Sequence, residues 1–140
     1  MYETIVVATD GSEPADRAIS QAIAQAKRTD ATLHAIFVVD THRYTEPALS
    51  SAELDTTLIE DWGTDHLATV MDRAEDHGVD AMTTCRHGLP FEEIIAYGED
   101  VEADLIVLGH QGHSHIRSDQ LGRVTARVLG ESNRPVLVVQ

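Results

Sequence analysis

Three glycines in the last third of the chain stand where a side chain would obstruct an anion. The segment reads Gly109-His-Gln-Gly112-His-Ser-His-Ile-Arg-Ser-Asp-Gln-Leu-Gly122-Arg123-Val124-Thr125. Gly109 closes an apolar run, where the chain must turn. Gly112 lets backbone amides approach a ligand with no Cβ between them. Gly122 opens a helical pattern, and the free N–H groups and dipole of a helix start favour negative charge. The chemistry this spacing suits is the cradling of phosphate.

Local charge points the same way. Between Leu105 and Val128 stand three arginines (Arg117, Arg123, Arg127), three histidines (His110, His113, His115) and a single acid, Asp119. The whole chain has 24 acidic against 10 basic side chains, a formal charge of −14. An acidic protein that binds a polyanion needs such an island of positive potential. The plainer alternative is that the arginines face solvent and pair with acids on the helix. The three histidines lack the spacing of a closed zinc site, and no cysteine is near them. Glu92 and Glu93 fit the first turn of a helix, where carboxylates complement the dipole.

The elements that must position this loop are legible from hydropathy. Apolar runs occur at Ile5–Ala8, Leu33–Val39, Ala81–Cys85, Leu105–Leu108 and Val136–Val139. Most lack polar alternation, which predicts burial on both faces and hence a parallel sheet with helices on each side. Ala15, Ala18, Ile19, Ala22, Ile23 and Ala26 follow helical spacing, with Ser12 as cap and Pro14 in the first turn. Leu54, Leu58 and Trp62 form one stripe of a second helix; Leu67, Val70, Met71 and Ala74 form another. Gly63 between them is expected to bend or break it. A third helix starts at Pro90 with Phe91, Ile94 and Ile95 inward. A fourth carries Leu121, Val124, Thr125, Val128 and Leu129. The alternation β-α-β-α-β-α-β-α-β predicts a doubly wound α/β sheet. Asp40–Ser51 is expected to be the longest loop. Ligands of such sheets sit beyond the carboxyl ends of the strands, where neighbouring connections leave to opposite sides.

These pieces, in this order, resemble the universal stress protein family. Ile5-Val-Val-Ala-Thr-Asp-Gly-Ser12 resembles its first strand and turn, and Phe37-Val-Val-Asp40 the end of its second strand. Gly88-Leu-Pro90 resembles its third turn, and Ala103–Gly109 its fourth strand. Gly-x-x-Gly, nine residues, Gly, and the closing Asn133–Val139 complete the likeness, which covers residues 1–140 as one domain. The resemblance implies a Rossmann-like, adenine nucleotide α-hydrolase-like sheet of order 3-2-1-4-5. It also implies binding of ATP or another adenine nucleotide, with Mg²⁺ or Mn²⁺. Asp10 would then lie near ribose or a phosphate-bound metal, while Ala8 and Thr9 line the cleft. Val38 would meet adenine through its backbone. Gly109, Gly112 and Gly122 would hold the phosphates, with Val124 and Thr125 close behind. Where the family's ATP binders usually have Gly-Ser, this chain has Gly122-Arg123. Arg123 either grips the terminal phosphate through charge-assisted bonds, occupies the phosphate space, or turns away.

Several chemistries are disfavoured. Asp10 is not part of an acidic cluster of the response-regulator kind, and Thr9-Asp-Gly-Ser12 is short and acidic for a flavodoxin phosphate loop. A His-x-Gly-His signature, a Walker A sequence and a Gly-x-Ser-x-Gly elbow are all absent. Three functions remain: a nucleotide-binding stress or signalling module that acts on a protein partner, a slow ATPase or phosphotransferase in the same cleft, and a dimerisation module without nucleotide. We favour the first, with no dedicated catalytic residue. In strand order 3-2-1-4-5 the segment 135–140 is an apolar, uncharged edge, which invites pairing with a second copy into a homodimer.

Composition sets the surroundings. The negative charge disfavours nucleic acid and anionic membrane, and no apolar run nears the ~20 residues of a membrane span. The chain enters a strand at once, without a basic leader, and its single cysteine, Cys85, is expected to be a buried small hydrophobe in a reducing cytoplasm. Of the ten basic residues nine are Arg and only Lys27 is Lys. An acidic, lysine-poor surface suits concentrated salt, where self-repulsion is screened within a few ångströms, and predicts a halophilic source. The melting temperature is therefore expected to rise from low to multimolar KCl. A fold equally stable without salt refutes this.

Overall fold

Residues with no polar alternation can be buried only between two layers, and the chain builds those layers. The computed structural model describes residues 2–41, 49–111 and 122–140, with backbone alone at 49–56. In chain order the elements are β1 (Thr4–Ala8), α1 (Glu13–Thr29), β2 (Thr32–Asp40), α2 (Leu49–Asp76), β3 (Ala81–Gly88), α3 (Pro90–Asp100), β4 (Leu105–Gly109), α4 (Arg123–Glu131) and β5 (Val136–Val139). The strands pair in parallel in the order β3-β2-β1-β4-β5, the order that the resemblance implies.

One face of the sheet is covered by α1 and α2, the other by α3 and α4. The central strands are sealed: Ile5, Val6, Val7, Ile106 and Val107 have no exposed surface. The edge strands differ from the expectation. β3 and β5 are only half buried, because each has a sheet neighbour on one side alone. Cys85, on β3, is accordingly half-buried rather than buried. β3 also runs on beyond the apolar run through Arg86, His87 and Gly88, the last of which the resemblance puts in a turn. β2 extends to Asp40 and offers Val38, Val39 and Asp40 as register partners for those three residues.

All six apolar residues of the α1 stripe are buried, and Ser12 caps the helix by accepting from the Ala15 N–H at 3.3 Å. Burying Ile19 and Ile23 contributes about 1.5–3 kcal/mol each. At the opposite end of the sheet, the Asp104 carboxylate accepts from the N–H groups of Glu3 and Thr4 at 2.8 and 3.0 Å, tying the start of β1 to the start of β4. Those two bonds hold its carboxyl below the usual carboxylate range.

α2 departs most from the sequence reading. It is one continuous helix through Gly63. A Cβ at Gly63 would lie 2.4 Å from Cδ1 of the buried Phe37 ring, so this glycine does not break the helix and serves close packing. Leu67, Val70 and Ala74 face the core as expected, whereas Leu58 and Trp62 are about half exposed. Leu129 of α4 is exposed too. The side chain of Leu54, residue Leu121 and most of the expected loop, residues 42–48, lie outside the described residues. Among the described residues, no helix is long and apolar enough to cross a membrane.

The two helical glycines of α2 and α4 therefore respond oppositely to a methyl group. Gly→Ala within a helix gains up to about 1 kcal/mol in propensity, but forcing a Cβ into a packed ring costs about 1–3 kcal/mol. Gly63→Ala is expected to be net destabilising by about 1–2 kcal/mol. Gly130→Ala, whose Cβ meets nothing within 4 Å, is expected to stabilise. Urea unfolding midpoints of both variants check the pair.

Candidate functional site

The connection after β1 leads to α1 on one face of the sheet, and the connection after β4 leads to α4 on the other. The two connections thus part and leave a crevice beyond the adjacent carboxyl ends of β1 and β4. A cavity of about 420 Å³ opens there. Of the ten site residues expected from the sequence, nine line it: Ala8, Thr9 and Asp10 from the end of β1, Val38 from β2, Gly109 from β4, and Gly122–Thr125 from the start of α4. Gly112 lies outside the described residues, as do His113, His115 and Arg117.

The end of β1 is fixed by its own polar groups. The Thr9 N–H donates to the Ile36 carbonyl at 3.0 Å. Its hydroxyl accepts from the Gly11 N–H at 3.1 Å and lies 2.9 Å from Nε2 of His66. The Asp10 carboxylate accepts from the Ser12 N–H at 2.9 Å, which shapes the turn into α1. Gly11 takes φ +81, and a Cβ there would collide with Trp62.

The end of β4 is where the glycines prove informative. A Cβ on Gly109 would lie 2.7 Å from the Pro14 carbonyl carbon and 3.0 Å from the Ala15 nitrogen, both backbone atoms of α1. Gly109 is thus required for helix-to-strand packing, a role the sequence reading did not assign. The Thr125 hydroxyl, buried, donates to the Gly109 carbonyl at 2.7 Å and holds the first turn of α4 against β4. The Gly122 N–H donates to the His110 carbonyl at 2.7 Å, so the two flanks of residues 112–121 meet. Nδ1 of His110 is buried and finds no hydrogen-bond partner among the described residues.

The arginines divide. Arg123 is exposed and is among the residues that line the cavity. Arg127 instead pairs with Glu131 at 2.6 Å and lies over the Phe91 ring, 4.0 Å from its centroid. For Arg127 the plainer alternative holds, and the positive island is smaller than the sequence count suggests.

The sequence reading missed the apolar wall. Ile36, Phe37, Ile59 and Trp62 line the cavity on its β2–α2 side. Trp62 stacks on His66 with centroids 5.4 Å apart and planes 8° from parallel, and tilts against Phe37 at 5.8 Å. The available signal was that α2 follows the strand whose carboxyl end borders the crevice. Trp62, the chain's one tryptophan, stands in the sequence only as part of a helical stripe with Leu54 and Leu58. The site thus joins an apolar wall to a helix N-terminus with an arginine beside it, an arrangement that can take a flat apolar ring at one end and an anion at the other.

His66 supplies a measurable consequence of this packing. Burial pushes its pKa down from 6.5, outweighing the opposing influence of Asp16; Arg73 lowers it further and Asp10 raises it. Below the unfolded value of 6.5 the unfolded chain takes a proton that the folded chain resists. The His66 contribution to stability is therefore complete above that pH and is lost as pH falls toward the folded midpoint. An NMR titration should place the His66 midpoint below 6.5, and His66→Gln should flatten this part of the stability–pH curve. A midpoint at or above the ordinary value contradicts the burial argument.

Comparison with known proteins gives consistent results. The model of the universal stress protein family matches residues 1–140. A universal stress protein of Methanocaldococcus jannaschii is 39% identical over 141 residues, covering 100% of this chain and 83% of its own length. The structure of the universal stress protein UspA from Lactobacillus plantarum superposes with a TM-score of 0.92 at 27% identity, covering 99% of this chain and 98% of that one. A universal stress protein solved in complex with cAMP is similar at a TM-score of 0.70 and 31% identity, covering 99% and 97%.

Proposed function

The chain belongs to the universal stress protein family, and from that premise we propose that it is a regulatory module whose cleft takes ATP or another adenine nucleotide. The observation that carries this reading is the division of the cavity into an apolar β2–α2 side and a β4–α4 side built from a helix N-terminus. A purine ring fits against Ile36, Val38, Ile59 and Trp62. The phosphates then fall at Gly122–Thr125, whose first N–H groups have no intrahelical acceptor. The similar protein solved with cAMP supports an adenine ligand. Gly112 belongs to this phosphate loop by the resemblance.

Asp10 supplies an oxygen donor at the same cavity, the donor type that Mg²⁺ or Mn²⁺ selects, usually one or two carboxylates together with phosphate oxygens. The metal would screen the phosphates from this carboxylate. Arg123 acts at the border as a grip on the terminal phosphate. No side chain is assigned a chemical step. Occupancy works through a stress or signalling protein partner, and a second copy pairs along residues 135–140, where β5 is a half-exposed, uncharged sheet edge.

Calorimetry with ATP–Mg²⁺ at high salt, read beside Trp62 emission, tests the proposal. One site and a change in emission are expected. Arg123→Ser should weaken ATP about fivefold, the equivalent of about 1 kcal/mol for an exposed ion pair, and leave adenosine unaffected. A gain in ATP affinity would show that Arg123 obstructs. Neither heat nor emission change with ATP, ADP, AMP or cAMP defeats the nucleotide reading. Sedimentation of the same sample should report a dimer.

A further inference from the structure

Successive side chains of a strand point to opposite faces, and β3 uses this alternation to sort its chemistry. Arg86 turns to the α3 face, where it pairs with Asp100 at 2.8 Å and lies 4.9 Å from the Tyr97 ring centroid. Cys85 and His87 turn to the other face, beneath α2. Glu60 of α2 meets them there, with Oε1 at 3.1 Å from Nε2 of His87. Gly63 sets this approach. Lacking a Cβ, it lets α2 rest on Phe37, the register partner of Cys85. One carboxylate oxygen, one sulfur and one imidazole nitrogen consequently lie within 4.8 Å of one another.

We propose that Glu60, Cys85 and His87 form a binding site for a divalent transition metal of the zinc type, with a fourth position open to water. The donor set decides the class of ion. Thiolate with imidazole selects Zn²⁺ and its neighbours over Mg²⁺ and Ca²⁺, which prefer all-oxygen shells. Bonds of 2.0–2.3 Å in a tetrahedron put donor atoms roughly 3.3–3.7 Å apart. The His87–Glu60 pair, at 3.1 Å, already has about that spacing, and the distances to the sulfur, within 4.8 Å, need to shorten by at most about 1–1.5 Å, within reach of rotamer changes in His87 and Glu60. Both have the freedom, at 39% and 46% side-chain exposure, and their exposure gives the ion its entry. On binding, the Cys85 sulfur–metal bond forms as the thiol proton leaves to solvent, and no electron is transferred. Three protein ligands with an open position make an exchangeable site rather than a closed structural one. The simplest competitor is a surface ion pair between His87 and Glu60 with Cys85 a bystander.

Titration of the full chain with Co²⁺ as a spectroscopic stand-in separates these. Because Cys85 is the only cysteine, a thiolate-to-cobalt charge-transfer band in the near ultraviolet reports this site alone, whatever the other histidines bind. The band is expected to saturate at one equivalent, to be displaced by Zn²⁺ and to persist in excess Mg²⁺. Cys85→Ser should abolish it. His87→Ala and Glu60→Gln should each weaken Co²⁺ at least as much as the roughly 10–100-fold lost with a mere outer-shell partner. No band, or a band that both of those variants retain at full affinity, overturns the proposal. Should Cys85→Ser fail to fold, alkylation of the native thiol decides instead: Zn²⁺ should slow it in the wild type and not in His87→Ala, and equal rates overturn the site.

Discussion

The contact on which the crevice depends is backbone against backbone. Gly109 at the end of β4 meets the peptide of Pro14 and Ala15 in the first turn of α1, so closely that a methyl group would lie 2.7 Å from the Pro14 carbonyl carbon. The missing side chain has one consequence, and the backbone carbonyl has another. α1 can start directly beside β4, although it belongs to β1. The Gly109 carbonyl also remains the acceptor for the Thr125 hydroxyl at 2.7 Å. One residue thereby joins the start of α1, the end of β4 and the start of α4, helices that lie on opposite faces of the sheet. The helix start that could receive an anion is held by this join and by the Gly122–His110 bond, not by a side-chain cap, which α4 lacks.

The electrostatics of the cleft must be read locally. A formal charge of −14 repels a polyanion at long range, but screening at 0.15 M salt confines that repulsion to about 8 Å, and multimolar salt confines it further. Within that radius the cavity offers Arg123, the start of α4 and the carboxylate of Asp10, whose charge a divalent ion would offset. Arg127, spent on Glu131 and Phe91, adds little. The short-range features that the cavity offers are backbone N–H groups on one side and an apolar wall with two aromatic rings on the other.

The sequence disclosed what periodicity encodes and concealed what contact encodes. Strand order was implied by resemblance, while the six-residue stripe of α1, its Ser12 cap and the helix start after Gly122 followed from spacing, and the structure has all of them. Nine of the ten expected site residues converge because the carboxyl ends of β1 and β4 must do so in a doubly wound sheet. Local rules read Gly63 as a bend or break in its helix and Gly109 as a turn, which the resemblance also gives to phosphate. Gly63 does not break its helix and Gly109 does end its strand before a bend, but the contacts that require both are with atoms distant in sequence, the ring of Phe37 and the backbone of α1. The stripe of Leu54, Leu58 and Trp62 does not say which of its residues are left half-exposed at a cavity, as Trp62 is. Cys85 was assigned to the core because an apolar run does not say whether its strand has two neighbours or one.

α2 serves both sites, since Trp62 walls the cavity and Glu60, two residues earlier, meets Cys85 and His87. Shared structure does not by itself couple them. A ligand shifts an equilibrium only by its differential affinity for two states, so coupling through α2 would require the helix to have two seats on the sheet. The packing argues for one. Gly63 lies directly against the Phe37 ring, and Leu67, Val70 and Ala74 are buried along the following turns; packed interfaces of this kind shift between discrete arrangements rather than by continuous sliding. The adjustment that a metal needs is available in the rotamers of Glu60 and His87, with α2 left in place. The two sites are therefore expected to fill independently, each by side-chain movement over a common rigid floor.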